Sequence, residues 1–198
     1  TNGSGAQEQS QSTDTVPENG KEVKQGKESA QQEPQSAAEY AARMKSDGND
    51  VKSKVTEAVK EGKLSPERIS HVSWSDFGKE TGKLVDKVGR FFERLGNTIK
   101  SKALGGKEII IDRRSVKDDI AHGIGRAKAC TFKAVPDVLA NGTIIDEQEN
   151  WKGRGYDTKI IAGAVDIDGK PAYVGCVIRS INDGQGQRFY LHEVVDTS

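Results

Sequence analysis

The sequence has few of the residues that mark a disulfide framework, a metal centre or a membrane span. Its only cysteines are Cys130 and Cys176, too few for a disulfide framework and without metal-ligand spacing. We expect two free, partly buried thiols, although a single disulfide between them stays open. No run approaches the roughly 18 apolar residues that a membrane span needs, so no membrane span is expected.

An excess of one charge sign is also lacking. Lysine and arginine together number 30, aspartate and glutamate number 30, and the formal net charge is zero. This balance disfavours a strongly basic binder of long duplex nucleic acid. A local cationic cleft can still bind small or structured RNA within a neutral protein.

Large apolar residues are nearly absent from the start of the chain. Val16 and Val23 are the only branched aliphatic residues in residues 1–35, which are rich in Gln, Ser, Glu, Gly and Thr. Such a segment cannot bury enough surface to offset its ordering entropy. We therefore predict a disordered linker over residues 1–35.

Residues 36–104 are predicted to form a helical region. Its first apolar residues have helical spacing and end near Gly62. Its clearest pattern predicts a helix from Lys79 to Ser101, whose apolar stripe would cover the downstream sheet or the preceding helix. Alternatively, this stripe could bind a membrane surface or a partner protein. Residues 71–77 between the two patterns are predicted to be a connector.

From Gly105-Gly106 onward the pattern changes, and residues 105–198 are predicted to be a separate α+β domain. Strand-like runs are expected at 109–111, 157–167, 172–181 and 188–195, with two short helices after the first run. Asp168-Gly169 is a strong signal for a tight hairpin. Consecutive strands on short turns predict an antiparallel sheet.

Reactive side chains are concentrated in three clusters of this second half, at residues 122–128, 151–158 and 188–193. In the last cluster, strand alternation places Tyr190 and His192 on one face, and Phe189 and Leu191 on the other. We expect the apolar face to pack inward. Tyr190 and His192 would then point away from the core.

The three clusters together contain the groups that metal-free RNA cleavage needs. Histidine suits the proton transfers at the 2′-hydroxyl and the leaving oxygen near neutral pH. Arginine and lysine can stabilise the phosphate, and tryptophan or tyrosine can stack on a base. No spacing rule shows that these groups meet in space.

Other chemistries have weaker signals. Gly123 and Gly125 lack the preceding strand and third glycine of a dinucleotide-binding loop. The three histidines are far apart, no carboxylate or cysteine cluster completes a zinc site, and no serine nucleophile elbow is present. We expect neither a metal nor a cofactor.

Several blocks of sequence are typical of one family. The blocks V-P-D-V-L-A-N-G, N-W-K-G-R-G-Y-D and R-F-Y-L-H-E-V, with a histidine and a lysine upstream, resemble a domain of the large polyvalent proteins of phages and conjugative elements. The resemblance covers about residues 109–195. This domain of the polyvalent proteins is in turn similar to the Barnase–EndoU–colicin–RelE group of nuclease folds.

The resemblance implies an α+β fold in which helices precede a small curved antiparallel sheet of about four strands. The disordered tail predicted from composition would precede this fold. Members of that fold group are typically metal-independent ribonucleases, often toxins or effectors. RNA, with tRNA as one candidate, and an immunity protein are the partners this implies. Action in the bacterial cytoplasm is implied too, with delivery into the cell as one route.

The leading hypothesis is a metal-independent ribonuclease-like domain of a mobile-element polyvalent protein or toxin, cleaving RNA by 2′-hydroxyl attack. The residues assigned to it are His122 and His192 for proton transfer, Lys128 and Arg154 for the phosphate, and Trp151, Lys152, Tyr156, Thr158 and Tyr190 for substrate binding. The alternative is a non-catalytic module of such a polyprotein that binds protein or nucleic acid. A third interpretation makes the aromatic residues sheet-edge packing and the basic residues a solvated face.

Overall fold

The computed structural model of the protein describes Glu33, residues 36–122, Ile124 and residues 128–197. The predicted disordered linker lies outside the described residues except for Glu33, and so do parts of the 122–128 cluster. The side chain of His122 also lies outside them.

Four helices and seven strands make up the described part of the chain. They are α1 (Ala37–Lys60), β1 (Arg68–Val72), α2 (Leu84–Arg94), β2 (Thr98–Ser101), β3 (Lys107–Ile110), α3 (Arg113–His122), α4 (Thr131–Asn141), β4 (Thr143–Gln148), β5 (Asp157–Ile167), β6 (Lys170–Asn182) and β7 (Gln187–Asp196). Short 3-10 turns lie at Lys102–Leu104 and Trp151–Gly153.

All seven strands belong to one mixed sheet. Its order is β1-β5-β6-β7-β3-β2, and β4 pairs with β5 beside this path. The β1–β5 and β3–β7 pairs are parallel, and the other pairs are antiparallel. The α+β class is confirmed, but the predicted antiparallel sheet of about four strands understates the sheet.

The strands that the sequence predicts are the three long ones, β5, β6 and β7, and the short β3. The β5–β6–β7 meander forms as expected, and its first turn has positive φ at Asp168 (50°) and Gly169 (84°), as a tight hairpin requires. The missed strands β1, β2 and β4 have only four to six residues each. Runs this short carry little alternation. They are strands because of their pairing partners: β1 and β4 pair with the longer β5, and β2 pairs with β3.

The helix predicted from Lys79 to Ser101 is shorter than expected. It occupies Leu84–Arg94, and the chain then turns through Gly96 (φ 77°) and Asn97 (φ 55°) into β2. Two consecutive residues in the left-handed region stop the helical hydrogen-bond ladder. Most of the apolar stripe does not face solvent, because Val88 and Phe92 are buried in the larger core, whereas Leu95 at its end is 42% exposed.

Two apolar layers cover the two faces of the sheet. On one face α4 buries Phe132, Val135 and Leu139 in the larger core. On the other face α1 packs Val51 and Val55 in a smaller core, which also contains Ile160, Ala162 and Val177. Ser36 begins α1, its Oγ accepting a hydrogen bond from the Glu39 N–H at 3.1 Å. Residues before and after Gly105 therefore share one sheet and its cores.

Both cysteines are buried and free, as expected. In the described residues no helix has the length and apolar character to cross a membrane.

Gly175 on β6 lets α1 approach the sheet closely. A Cβ added there would lie 2.9 Å from Val55 Cγ2 and 3.4 Å from Val51 Cγ1. We expect Gly175→Ala to lower the free energy of unfolding by about 1–3 kcal/mol through overpacking, as measured by urea denaturation.

Val55→Ala provides the matched test of this contact. Alone it opens a cavity, but together with Gly175→Ala the new methyl group occupies that space. The double variant should therefore lose less stability than the two single losses added together. Additivity within about 0.3 kcal/mol would contradict the close contact.

Candidate functional site

The loop between β4 and β5 is a tight turn built around Trp151. Lys152 (φ 50°) and Gly155 (φ 79°) adopt the left-handed region, and the Trp151 N–H donates to the Tyr156 carbonyl at 2.8 Å. The Gly155 N–H donates to Asn150 Oδ1 at 2.7 Å. These bonds fold the polar block back on itself and place its side chains against α1 and β7.

A buried carboxylate on α1 binds both cations of this loop. Asp47 accepts hydrogen bonds from Arg154 Nη1 at 2.8 Å and Nη2 at 3.1 Å, and from Lys152 Nζ at 2.8 Å. The side chains of Asp47 and Arg154 are only 3% and 4% exposed. Lys152 also pairs with Asp50. Burial alone would raise the pKa of Asp47, but the bonds from Arg154 and Lys152 outweigh it and hold the pKa below its usual value.

Besides its ion pair with Asp47, Arg154 contacts a cluster of aromatic rings. Its guanidinium lies 4.6 Å from the centroid of the buried Trp151 ring. His192 contacts Trp151 edge-on at 5.7 Å between centroids, and Tyr156 at 5.8 Å. Burial, and then the charges of Arg179 and Arg154, lower the pKa of His192 to about 4. His192 is therefore a neutral imidazole at neutral pH.

An irregularity in the β6–β7 ladder puts two titratable residues on the same face. Leu191 pairs with Ile178 and Glu193 pairs with Val177, which leaves His192 as an extra residue on β7. A β-bulge of this kind interrupts the alternation of side chains. His192 and Glu193 consequently both contact groups on the α1 side of the sheet, and sequence alternation alone does not predict this for Glu193.

Arg179 on β6 is the cation that sequence reasoning missed. Its guanidinium carbon lies 5.4 Å from the Tyr156 ring centroid and 5.7 Å from that of Tyr190. It forms no ion pair with any described residue, and its buried Nε has no hydrogen-bond partner there. We define Tyr156, Arg179, Tyr190 and His192 as the Arg179 cluster. A guanidinium between two aromatic rings without a carboxylate can bind an incoming anion.

A signal for Arg179 is present in the sequence. It is the only charged residue in the run Val174–Ile181, where a charge requires a reason. Its strand partner is Tyr190, and Thr158 lies opposite it on β5. The pairing register, which the sequence does not give, is what connects these three residues.

The remaining predicted site residues are divided between this cluster and its surroundings. Thr158 is buried beside Arg179. Lys128 lies apart and lines a cavity together with Glu193. His122 is the last residue of α3, one turn after Asp119, and its side chain is outside the described residues. The structure thus brings Trp151, Lys152, Arg154, Tyr156, Tyr190 and His192 together, and their predicted roles stay predictions.

Glu193 is a second group that the sequence does not single out. Burial, and then the neighbouring Asp47 carboxylate, raise its pKa to about 8. Burial and Glu193 likewise raise the pKa of Asp119. Within the described ranges no group of His, Cys, Asp and Glu side chains is arranged to hold a metal ion.

Comparison with known proteins gives one finding. A family model described as large polyvalent protein-associated domain 3 matches residues 79–190, more than half of the chain. No curated protein and no solved structure matches the chain. Asp47 on α1 precedes the matched range, while Trp151, Arg154, Arg179 and Tyr190 lie inside it or at its end.

The buried ion pair supports a stability prediction. Asp47→Ala would leave Arg154 buried without a counter-charge, and we expect a loss of about 3–5 kcal/mol in the free energy of unfolding. Asp50 is 53% exposed, so Asp50→Ala is the matched control and should cost less than about 1 kcal/mol. Chemical denaturation measures both, and equal small losses would contradict a central role for Asp47.

Glu193 supports a prediction on pH dependence. Between about pH 4.5 and 8 the unfolded chain releases the Glu193 proton while the folded protein keeps it, so this group lowers stability as pH rises. Glu193→Gln should therefore stabilise the protein at pH 8, by an amount on the order of 2 kcal/mol, and much less near pH 5. Thermal or urea denaturation at the two pH values measures the difference.

The exposed Glu149 provides the control. Glu149→Gln should give the same small change in stability at both pH values. A Glu193→Gln variant that behaves in the same way would show that Glu193 is ionised in the folded protein at neutral pH.

Proposed function

We propose that this chain, which belongs to the large polyvalent protein-associated domain 3 family of mobile-element-associated domains, acts on RNA as a metal-independent ribonuclease. The proposed site is the Arg179 cluster. RNA is cleaved there by attack of a 2′-hydroxyl on the adjacent phosphate. The proposal includes membership of the nuclease fold group that the sequence blocks resemble.

The observation that carries the proposal is the unpaired guanidinium of Arg179 beside a neutral imidazole. Arg179 offers several N–H donors to a phosphate in a fixed geometry. Tyr156 and Tyr190 flank it at 5.4 and 5.7 Å and offer faces on which splayed bases can stack. His192 lies close enough for Arg179 to lower its pKa. A cation, a proton acceptor and stacking surfaces therefore occur within one cluster.

The proposed reaction assigns a proton path to each oxygen. His192 accepts the proton of the 2′-hydroxyl as that oxygen bonds to phosphorus. The bond from phosphorus to the 5′-oxygen breaks, and this oxygen takes a proton from an acid. The products are a 2′,3′-cyclic phosphate and a 5′-hydroxyl. His122 is our candidate for the acid, an assignment made from the sequence.

The low pKa of His192 makes it a weak base in the free protein. A bound phosphate would add a negative charge between Arg179 and His192 and so raise the pKa of His192 towards its ordinary value. Substrate binding and basicity are thereby coupled. Arg154 has a positioning role in this scheme, since it is held by Asp47 and stacks on Trp151, which contacts His192.

A non-catalytic RNA-binding module is the second candidate. The observation that favours it is that Asp47 binds both Arg154, which was predicted to stabilise the phosphate, and Lys152, which was predicted to bind substrate. Arg179 with its two tyrosines would then bind single-stranded RNA by stacking and charge alone.

A single-stranded oligoribonucleotide, incubated with the protein in EDTA, tests both candidates. We expect cleavage to a 2′,3′-cyclic phosphate, detected by mass spectrometry, and no cleavage of an oligonucleotide with 2′-deoxyribose throughout. Arg179→Ala should reduce cleavage by about 10²-fold or more and weaken RNA binding about tenfold. His192→Gln should reduce cleavage by about 10²–10⁴-fold with little effect on binding.

Arg68 at the exposed start of β1 provides the matched control, and Arg68→Ala should change neither measurement. Binding that depends on Arg179 without any cleavage would support the binding module and overturn the ribonuclease. Cleavage that survives both Arg179→Ala and His192→Gln would place the reaction elsewhere.

A further inference from the structure

A cavity separate from the Arg179 cluster lies between α1 and the end of β7. Its volume is about 290 Å³, and its walls include Met44 and Gly48 of α1, and Glu193 and Val194 of β7. Ile124 closes part of it with a buried side chain. A cavity of this size is at the lower end of those that hold small molecules.

The inner end of the cavity has a polar group without a partner. Glu193 is only 5% exposed, and its Oε2 accepts or donates no hydrogen bond with the described residues. A buried oxygen left in this way costs free energy unless another group bonds to it. Glu193 faces Gly48, because a Cβ added at Gly48 would lie 3.3 Å from Glu193 Oε1. The absent side chain at Gly48 leaves the carboxyl group accessible from the cavity.

The mouth of the cavity is cationic. Lys45 and Lys52, which are two turns apart on α1, both line it, and both are exposed. Neither forms an ion pair with a described residue. Their ammonium groups can therefore pair with an anion without first breaking a salt bridge.

We propose that this cavity binds a small organic anion, with its phosphate or carboxylate held by Lys45 and Lys52 and its body directed towards Glu193. Met44 and Val194 supply apolar contacts for the body. Glu193 Oε2 hydrogen-bonds to a polar group of the ligand. Asp196 also lines the cavity, but it is buried and its Oδ2 already accepts a hydrogen bond from Thr131 Oγ1 at 3.1 Å. The exposed Lys45 and Lys52 therefore favour an anion over a free cation at the solvent side of the cavity.

The state of Glu193 is compatible with an anionic ligand. Burial, followed by the Asp47 charge, raises its pKa to about 8, so the carboxyl group is neutral at physiological pH and does not repel the ligand. This site does not depend on the proposed ribonuclease. Its residues are distinct from Tyr156, Arg179, Tyr190 and His192.

Ligand titrations followed by amide NMR of the full chain test the site. The probes are benzoate and phenyl phosphate, which carry the two oxyanions, and phenol, which has the same ring without the charge. We expect the anions to shift the amide signals of Gly48, Val194 and Val195 with saturation at millimolar concentration, and phenol to shift them much less. The stronger anion identifies whether the site prefers phosphate or carboxylate.

Two variants test the residues that carry the proposal. The double variant Lys45→Ala with Lys52→Ala changes only exposed side chains and should weaken binding at least about tenfold. Gly48→Ala adds a methyl group to the cavity wall and should therefore weaken ligand binding. The variant should still fold, because alanine favours a helix by about 1 kcal/mol relative to glycine. Lys102→Ala, in the turn packed on α4, is the matched control and should bind like the unmodified chain.

Three results would overturn the inference. They are equal binding of phenol and the anions, signal changes confined to other parts of the chain, and unchanged affinity in the double lysine variant. None of these results bears on RNA cleavage, because Arg179 and His192 are unaltered in these variants.

Discussion

The bond between Asp47 and Arg154 joins the parts of this protein that the candidate site needs. A carboxylate and a guanidinium, each nearly inaccessible to solvent, form two hydrogen bonds between α1 and the loop after β4. Neither charge would be stable there alone, because removing an ion from water costs several kcal/mol. Each group therefore requires the other, and the loop conformation requires α1.

The consequences of this pair extend to the Arg179 cluster. Arg154 is fixed over Trp151, Trp151 contacts His192, and the charge of Arg154 contributes to the low pKa of His192. The bulge at His192 adds Glu193 to the same side of the sheet. Residues of α1, of the loop after β4 and of the bulged β7 together determine the protonation states of His192 and Glu193. A helix that precedes the matched family range thus takes part in a site formed largely within that range.

The two proposed sites use the same helix in different ways. Asp47 faces the loop, where it neutralises Lys152 and Arg154. Lys45 and Lys52 border the cavity at the end of β7. The carboxylate of Asp47 and the ammonium groups of Lys45 and Lys52 thus belong to two different environments of α1. This separation is invisible in the overall net charge of zero.

The sequence by itself determined the α+β class, the β5–β6–β7 meander, α4 and the family, because long alternating strands, a tight-turn dipeptide and specific blocks are local signals. It also located the polar loop at 150–157. Only the tertiary structure decided which cation can bind an incoming anion. Arg154 is neutralised by a carboxylate 107 positions away, whereas Arg179 lies between two tyrosines. The short strands and the bulge likewise depend on pairing with distant neighbours. Local patterns record the preference of a segment, but ion pairs, register and burial are set by residues that meet only when the chain folds.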